Sequence, residues 1–159
     1  MTGHAAGPGE MLFRFVRHWA RRANQISSPV FADRGRDVMI TEAVLAASKR
    51  GDPTVANVAA ELGIDQSGAS RMIQEAAKRM LLETRPSRAD GRRRTVHITP
   101  TGSSMLTDAH RWQEETFETL TADWTEAERR EFTRGLSRLL TRHASTDHPS
   151  DDRPERATA

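Results

Sequence analysis

The chain contains no cysteine, which excludes disulfides, thiolate zinc sites and any switch built on thiol oxidation. Aromatic residues make up only 5% and hydrophobic residues 36% of its 159 residues. The core is therefore either small or completed between subunits. No run approaches the roughly 18 consecutive apolar residues of a membrane span. The opening "MTGHAAGPGEM" lacks the charged start and apolar stretch of a signal peptide. A soluble, cytoplasmic protein with no membrane association is expected.

Lysine is nearly absent: the 24 basic residues comprise two lysines and 22 arginines. Arginine suits bidentate contact with phosphate and guanine, although a GC-rich genome produces the same bias. The six histidines are scattered, without an H-E-x-x-H motif or any metal-ligand spacing. The serines lack a nucleophile-elbow context, and there is no phosphate loop. No catalytic residue, metal or cofactor is expected, and the chain is not read as an enzyme.

What is present is unevenly distributed charge. Residues 49–94 hold ten Lys/Arg against six Asp/Glu, whereas residues 105–131 hold eight Asp/Glu against three Arg. This suggests one surface facing a polyanion and another facing away. Residues 1–9 and 144–159 are small or polar and are expected to be disordered tails.

Between them the periodicity predicts helices and one hairpin. Leu12, Phe15, Val16, Trp19, Ala23 and Ile26 recur at helical spacing from Glu10, with Arg14, Arg17, Arg21 and Arg22 opposite, and the helix ends before Pro29. Residues 30–36 are ambiguous. A second helix carries Met39, Ile40, Ala43, Val44 and Ala47 and stops at Gly51 and Pro53. Thr54 caps a third, "VANVAAELG", with Val55, Val58, Ala59 and Leu62 inward; Gly63 ends it, and a fourth runs from Gln66 to about Leu81. Strands at 83–85 and 95–98 flank "PSRADGRRR", a turn with an arginine-rich tip. Thr99 and Pro100 start a long helix to about Asp123, and the Thr125/Glu128 pair opens a last one containing Phe132, Leu136, Leu139 and Leu140.

Two features carry function. In "TVANVAAELGIDQSGASRMIQEAAKRM" two short helices are separated by "GID", with Ala59 where they cross and Gly63 in the turn. Ile64, Ala69 and Met72 are expected to pack the second helix on the first. Gln66, Ser67, Ser70, Arg71 and Gln74 face outward, side chains that can hydrogen-bond base edges in a major groove. Gly68 removes a side chain where a backbone would approach DNA, and the free N–H groups of the helix start suit a phosphate. An ordinary helical hairpin with a polar outer face has the same pattern. The second feature is the hairpin directly after it, whose Arg92, Arg93 and Arg94 suit a narrow, electronegative minor groove. Solvated arginines, or pairing with Asp90, are the plainer account of the same tip.

The stretches "VAAELGIDQSGASRMI", "LLETRPSRADGRRR" and "VHITPTG" resemble the MarR (multiple antibiotic resistance regulator) family of winged-helix regulators, over about residues 10–142. The family's wing pattern of Asp, one residue, Arg falls on Asp90 and Arg92, and its Leu/Ile-Thr-Pro-x-Gly entry into a long helix on Ile98 to Gly102. The chain departs from it at Gly68 and Ala69, where a Thr or Ser and a β-branched residue are usual, and at Met80, where a glycine usually ends the reading helix.

The resemblance implies a mainly α fold with a β-hairpin wing. The winged helix-turn-helix would span residues 37–98, and residues 10–28 and 100–143 would supply the dimerisation helices of a domain at 10–143. It also implies a homodimer on a pseudo-palindromic double-stranded DNA site, with half-sites about 34 Å apart. Repression is the expected mode of action. Such proteins often bind small aromatic or phenolic acids between the dimer helices and the winged helix. Phe15, His18, Trp19, Arg22, Met39 and Trp112 offer aromatic walls and a cation for such an effector, and are equally suited to a dimer core. The rival classes are a winged-helix module that binds another protein, and a sequence-blind architectural DNA binder. The first needs an apolar or acidic-complementary patch on the second helix, and the second relies on phosphate contacts. The Gln66, Ser70, Arg71 and Gln74 cluster argues for base readout.

Overall fold

The computed structural model of the chain describes residues 6–25, 29–87 and 93–146. Ile26 and most of both expected tails, residues 1–5 and 147–159, lie outside the described residues. Among the described residues six helices and one hairpin follow one another: α1 (Pro8–Gln25), α2 (Pro29–Ser48), α3 (Val55–Leu62), α4 (Gln66–Lys78), β1 (Leu82–Pro86), β2 (Arg94–Ile98), α5 (Pro100–Leu120) and α6 (Glu126–Thr146). Two compact units result, Met1–Trp112 and Gln113–Ala159, with α5 running from one into the other.

In the first unit one core joins every element of the winged helix. Ile40 and Val44 of α2, Val58 of α3, Ile73 and Ala76 of α4, Leu81, Leu82 of β1 and Val96 of β2 are buried together. The small residues Ala59 and Ala69 are buried too, as the crossing of two short helices demands. Ile64, expected to pack there, is instead 39% exposed. The hairpin is antiparallel, pairing Leu82 with Ile98 and Thr84 with Val96, and the Val96 N–H donates to the Pro53 carbonyl at 2.8 Å. The strand base is thereby tied to the turn before α3.

The caps explain the helix limits. Thr54 Oγ1 accepts from the Asn57 N–H at 3.3 Å while Asn57 Oδ1 accepts from the Thr54 N–H at 2.9 Å, a reciprocal box at the start of α3. Gly63, at φ 63°, closes that helix: its N–H reaches the Ala60 carbonyl and the Ile64 N–H the Ala59 carbonyl, the paired bonds of a Schellman ending. The same pair closes α4, from Met80 N–H to Ala77 and Leu81 N–H to Ala76. Here Met80 takes the left-handed position, at φ 59°. Helix α4 therefore ends at Lys78, not near Leu81, and Leu81 turns into the core. A left-handed non-glycine residue costs about 1 kcal/mol. Met80→Gly is expected to raise stability by up to about that amount, less the entropy that glycine gains unfolded; a chemical denaturation midpoint that falls instead would show that Met80 packs favourably.

Helix α2 begins at Pro29, so the ambiguous stretch 30–36 is helical, and α1 begins at Pro8, inside the expected tail; proline is well suited to a first helical turn. Helix α6 likewise continues to Thr146, beyond residue 143. The α5 entry is tightly built. The Thr99 hydroxyl donates to the Met80 carbonyl at 2.5 Å and accepts from the Gly102 N–H at 3.1 Å, and Gly102 is buried against the Leu81 carbonyl.

In the second unit, Phe117 stacks on Phe132 at 6.0 Å, and Trp124 meets Phe132 edge-on at 5.4 Å. Thr125 and Glu128 form the expected capping box, with Thr125 N–H to Glu128 Oε2 at 2.7 Å. Arg129 closes the α5–α6 turn by donating to the Thr121 carbonyl at 2.7 Å. Leu136, Leu139 and Leu140 of α6 remain exposed.

Candidate nucleic-acid interface

Helix α4 presents one buried and one open face because Ala69, Ile73 and Ala76 recur at helical spacing and are buried in the core. Gln66, Ser67, Arg71 and Gln74 are exposed and Ser70 is half-buried. Gln66, Ser67, Ser70 and Arg71 line one open groove of about 590 Å³ together with Val55 at the start of α3. The Gln74 amide reaches the Ser70 hydroxyl at 3.5 Å, which keeps both on this face. Val55 is half-buried, packed against the core as expected, and also borders the groove. Its place as the first residue of α3 is the signal for this in the sequence.

The helix start differs from expectation. Asp65 caps α4, its carboxylate accepting from the Gly68 N–H at 2.8 Å. The N–H groups that suit a phosphate therefore already serve an anion. The Gly68 N–H, with further help from the Ser67 N–H and the Arg71 charge, holds the Asp65 carboxyl below the ordinary carboxylate range. A depressed carboxyl pKa adds stability that is present above the ordinary value and lost as pH falls through the folded one. Asp65 thus stays ionised at neutral pH, and an incoming phosphate at this end meets a negative charge. Gly68 itself is not required by the fold, since an added Cβ meets nothing nearer than Asp65 Oδ2 at 3.4 Å.

The wing contributes Arg93 and Arg94, both exposed. Arg94 belongs to β2, not to the tip: it pairs across from Pro86, and its guanidinium donates to Thr84 Oγ1 at 3.0 Å. Arg93 continues the ladder through its carbonyl, which accepts from the Ser87 N–H at 2.8 Å. Asp90 and Arg92 lie outside the described residues.

The residues suggested for an aromatic effector are less gathered. Phe15, His18 and Trp19 form an edge-on cluster on α1, with Phe15 and His18 centroids 6.1 and 6.2 Å from that of Trp19. Met39 and Trp112 are exposed on α2 and α5, and the Arg22 side chain lies outside the described set. Among the described residues no helix is long and apolar enough to cross a membrane.

Residues 43–93, which hold α3, α4 and β1, match the MarR family model. No curated protein matches the chain. Solved structures do. The reduced form of MarR from E. coli superposes with a TM-score of 0.64 at 19% identity, covering 87% of this chain and 99% of that one. A mutant of S. aureus MepR gives 0.63 at 19% identity, with 82% and 95% covered. BpsR of Bordetella bronchiseptica, whose DNA binding is described as regulated by 6-hydroxynicotinic acid, gives 0.50 at 22%, with 79% and 98% covered. The helix-turn-helix and the first wing strand fall in the matched segment, and the six helices and hairpin among the described residues share the fold of the solved MarR structures. The chain thus has the winged-helix fold of solved MarR-family proteins, and its residues 43–93 match the MarR family model.

Proposed function

We propose that this regulator reads a specific double-stranded DNA sequence as a homodimer and represses transcription from a pseudo-palindromic site. The observation that carries sequence reading is the groove along α4, where Gln66, Ser70 and Arg71 stand together on an open face. Arg93 extends the positive surface on the wing, and it, Arg92 and the Ser67 hydroxyl suit backbone or minor-groove contacts, whereas Arg94 is held to Thr84 within the strand.

Dimer formation is supported by apolar surface left exposed among the described residues. Met11, Leu12, Phe13, Phe15 and Val16 of α1 are all at least 45% exposed, and Leu139 and Leu140 of α6 are 56% and 71% exposed. Burial of such surface against a second copy is the usual remedy. A dimer seated across a promoter blocks polymerase access, which favours repression. A small aromatic acid as effector is supported by the Phe15, His18 and Trp19 cluster and by the regulation described for BpsR.

The test is fluorescence anisotropy across a salt series with DNA from immediately upstream of this protein's own gene, in the presence of excess unrelated duplex, followed by footprinting. Binding that survives the competitor and protects two half-sites about 34 Å apart is expected. Protection of a single, asymmetric half-site would overturn the dimeric reading. Binding abolished by the competitor would favour phosphate-driven, sequence-blind association.

A further inference from the structure

The groove residues read DNA only if α4 is held at a fixed angle, and the fold contains a device for that. Asp37 of α2 is 5% exposed, and its carboxylate is gripped by Arg79, the residue immediately after the last turn of α4. Nε lies 2.8 Å from Oδ2, and the Nη2 donates to Oδ1 at 2.9 Å. This is the two-pronged geometry that fixes orientation as well as distance. Asp37 is itself steadied from within α2, where its carbonyl accepts the buried Thr41 hydroxyl at 2.7 Å. Between the two helices lies a cleft of about 300 Å³ bordered by Asp37, Ile40, Met72, Glu75 and Arg79, and also by Arg71. The clasp and the principal reading side chain thus share one wall.

We propose that Asp37 and Arg79 are a positioning pair that sets the angle of α4 against α2, and so govern DNA selectivity without contacting base pairs. The proposal rests on α4 being the reading helix. Its physical basis is leverage. Helix α4 rises about 1.5 Å per residue, so Gln66 stands roughly 20 Å from Arg79. A tilt of about 5° at the Arg79 end carries the Gln66 end through nearly 2 Å. Hydrogen bonds to base edges fail within such a displacement, because they require donor and acceptor within about 3.2 Å. Attraction between an arginine and a phosphate falls only gradually with distance. Loosening the clasp therefore removes discrimination first and general affinity last.

The informative substitution is Arg79→Lys, which keeps the charge but loses the fork; with Arg79 side-chain exposure at 39%, the fold tolerates it. Asp37→Asn, Arg79→Gln and the double variant complete the set. Each is measured, at a temperature where circular dichroism shows it folded, for affinity to two duplexes. One is selected by the wild-type protein from a randomised pool; the other is an unrelated sequence of equal length. The expected result is a ratio of the two affinities lowered about fivefold in Arg79→Lys and about tenfold in Arg79→Gln, the scale of losing one base contact. Affinity of Arg79→Lys for the unrelated duplex should change less than about twofold, as its charge is retained. The double variant should be no less selective than the worse single one, as expected of residues acting together.

A lower melting temperature with an undiminished ratio in Arg79→Lys and Arg79→Gln would make the pair merely structural and overturn the proposal. A wild-type protein that selects no duplex from the pool would overturn DNA reading itself, and the positioning role with it.

Discussion

Gly102→Ala is expected to cripple the winged helix, lowering its stability by about 3 kcal/mol or more and its melting temperature by on the order of 10 °C. An alanine Cβ at this position would lie 2.2 Å from the Leu81 carbonyl oxygen and 3.0 Å from Ile98 Cγ2. The first neighbour is backbone and cannot rotate away. The Leu81 carbonyl also accepts from the Thr99 N–H at 3.1 Å, so moving it breaks the joint where β1, β2 and α5 meet. Overpacking against main chain carries no cheap relaxation. Gly35→Ala is the matched control: it lies inside α2 with nothing within 4 Å of an added Cβ, and the better helix propensity of alanine should raise stability by up to about 1 kcal/mol. Thermal melts of the two variants side by side separate a steric requirement from a general cost of replacing glycine. A Gly102→Ala midpoint within a degree or two of wild type would show that the α5 entry can shift.

The second large effect concerns recognition. Arg71→Ala should weaken binding to the preferred duplex by about 1–3 kcal/mol, on the order of ten- to a hundredfold, and relax preference at one base pair. Arg71 is exposed and borders both the groove on α4 and the cleft behind it. Its removal opens no cavity in the core, so the melting temperature should hardly move. Anisotropy titrations against a set of single-base variants of the preferred duplex give the answer. Equal weakening on every sequence would assign Arg71 to a phosphate instead.

Most of the element order is legible in the residues, because helix starts are written in short side chains. Thr54, Thr99 and Thr125 each cap the helix expected of them, and Gly63 takes the left-handed turn expected of it. Signals of this kind act over three or four positions and need no knowledge of the rest of the chain. The departures come from longer-range causes. Residues 30–36 have no clear apolar period, yet they extend α2. The end of α4 is obscured because a methionine occupies the position that usually announces itself as glycine. Arg94 reads as part of the tip until its pairing with Pro86 assigns it to the strand.

The face of α4 is legible in the same way, since the alternation of Ala69, Ile73 and Ala76 with polar neighbours fixes which side is open. What periodicity cannot reveal is a contact between distant positions. Asp37 and Arg79 are separated by 42 residues, and nothing local marks an aspartate on α2 as the partner of an arginine beyond α4.

The wing is fastened at its root. Leu82 and Val96 are buried, the Val96 N–H is bonded to Pro53, and the Leu82–Ile98 pair adjoins the α5 entry. From Thr84 and Arg94 outward the strands are exposed. Substitution at the exposed strand residues Thr84, Arg85, Pro86 and Arg94 is therefore decoupled from folding of the core. Such positions can vary while the scaffold stays unchanged, which makes the outer ends of the two strands suitable for engineering.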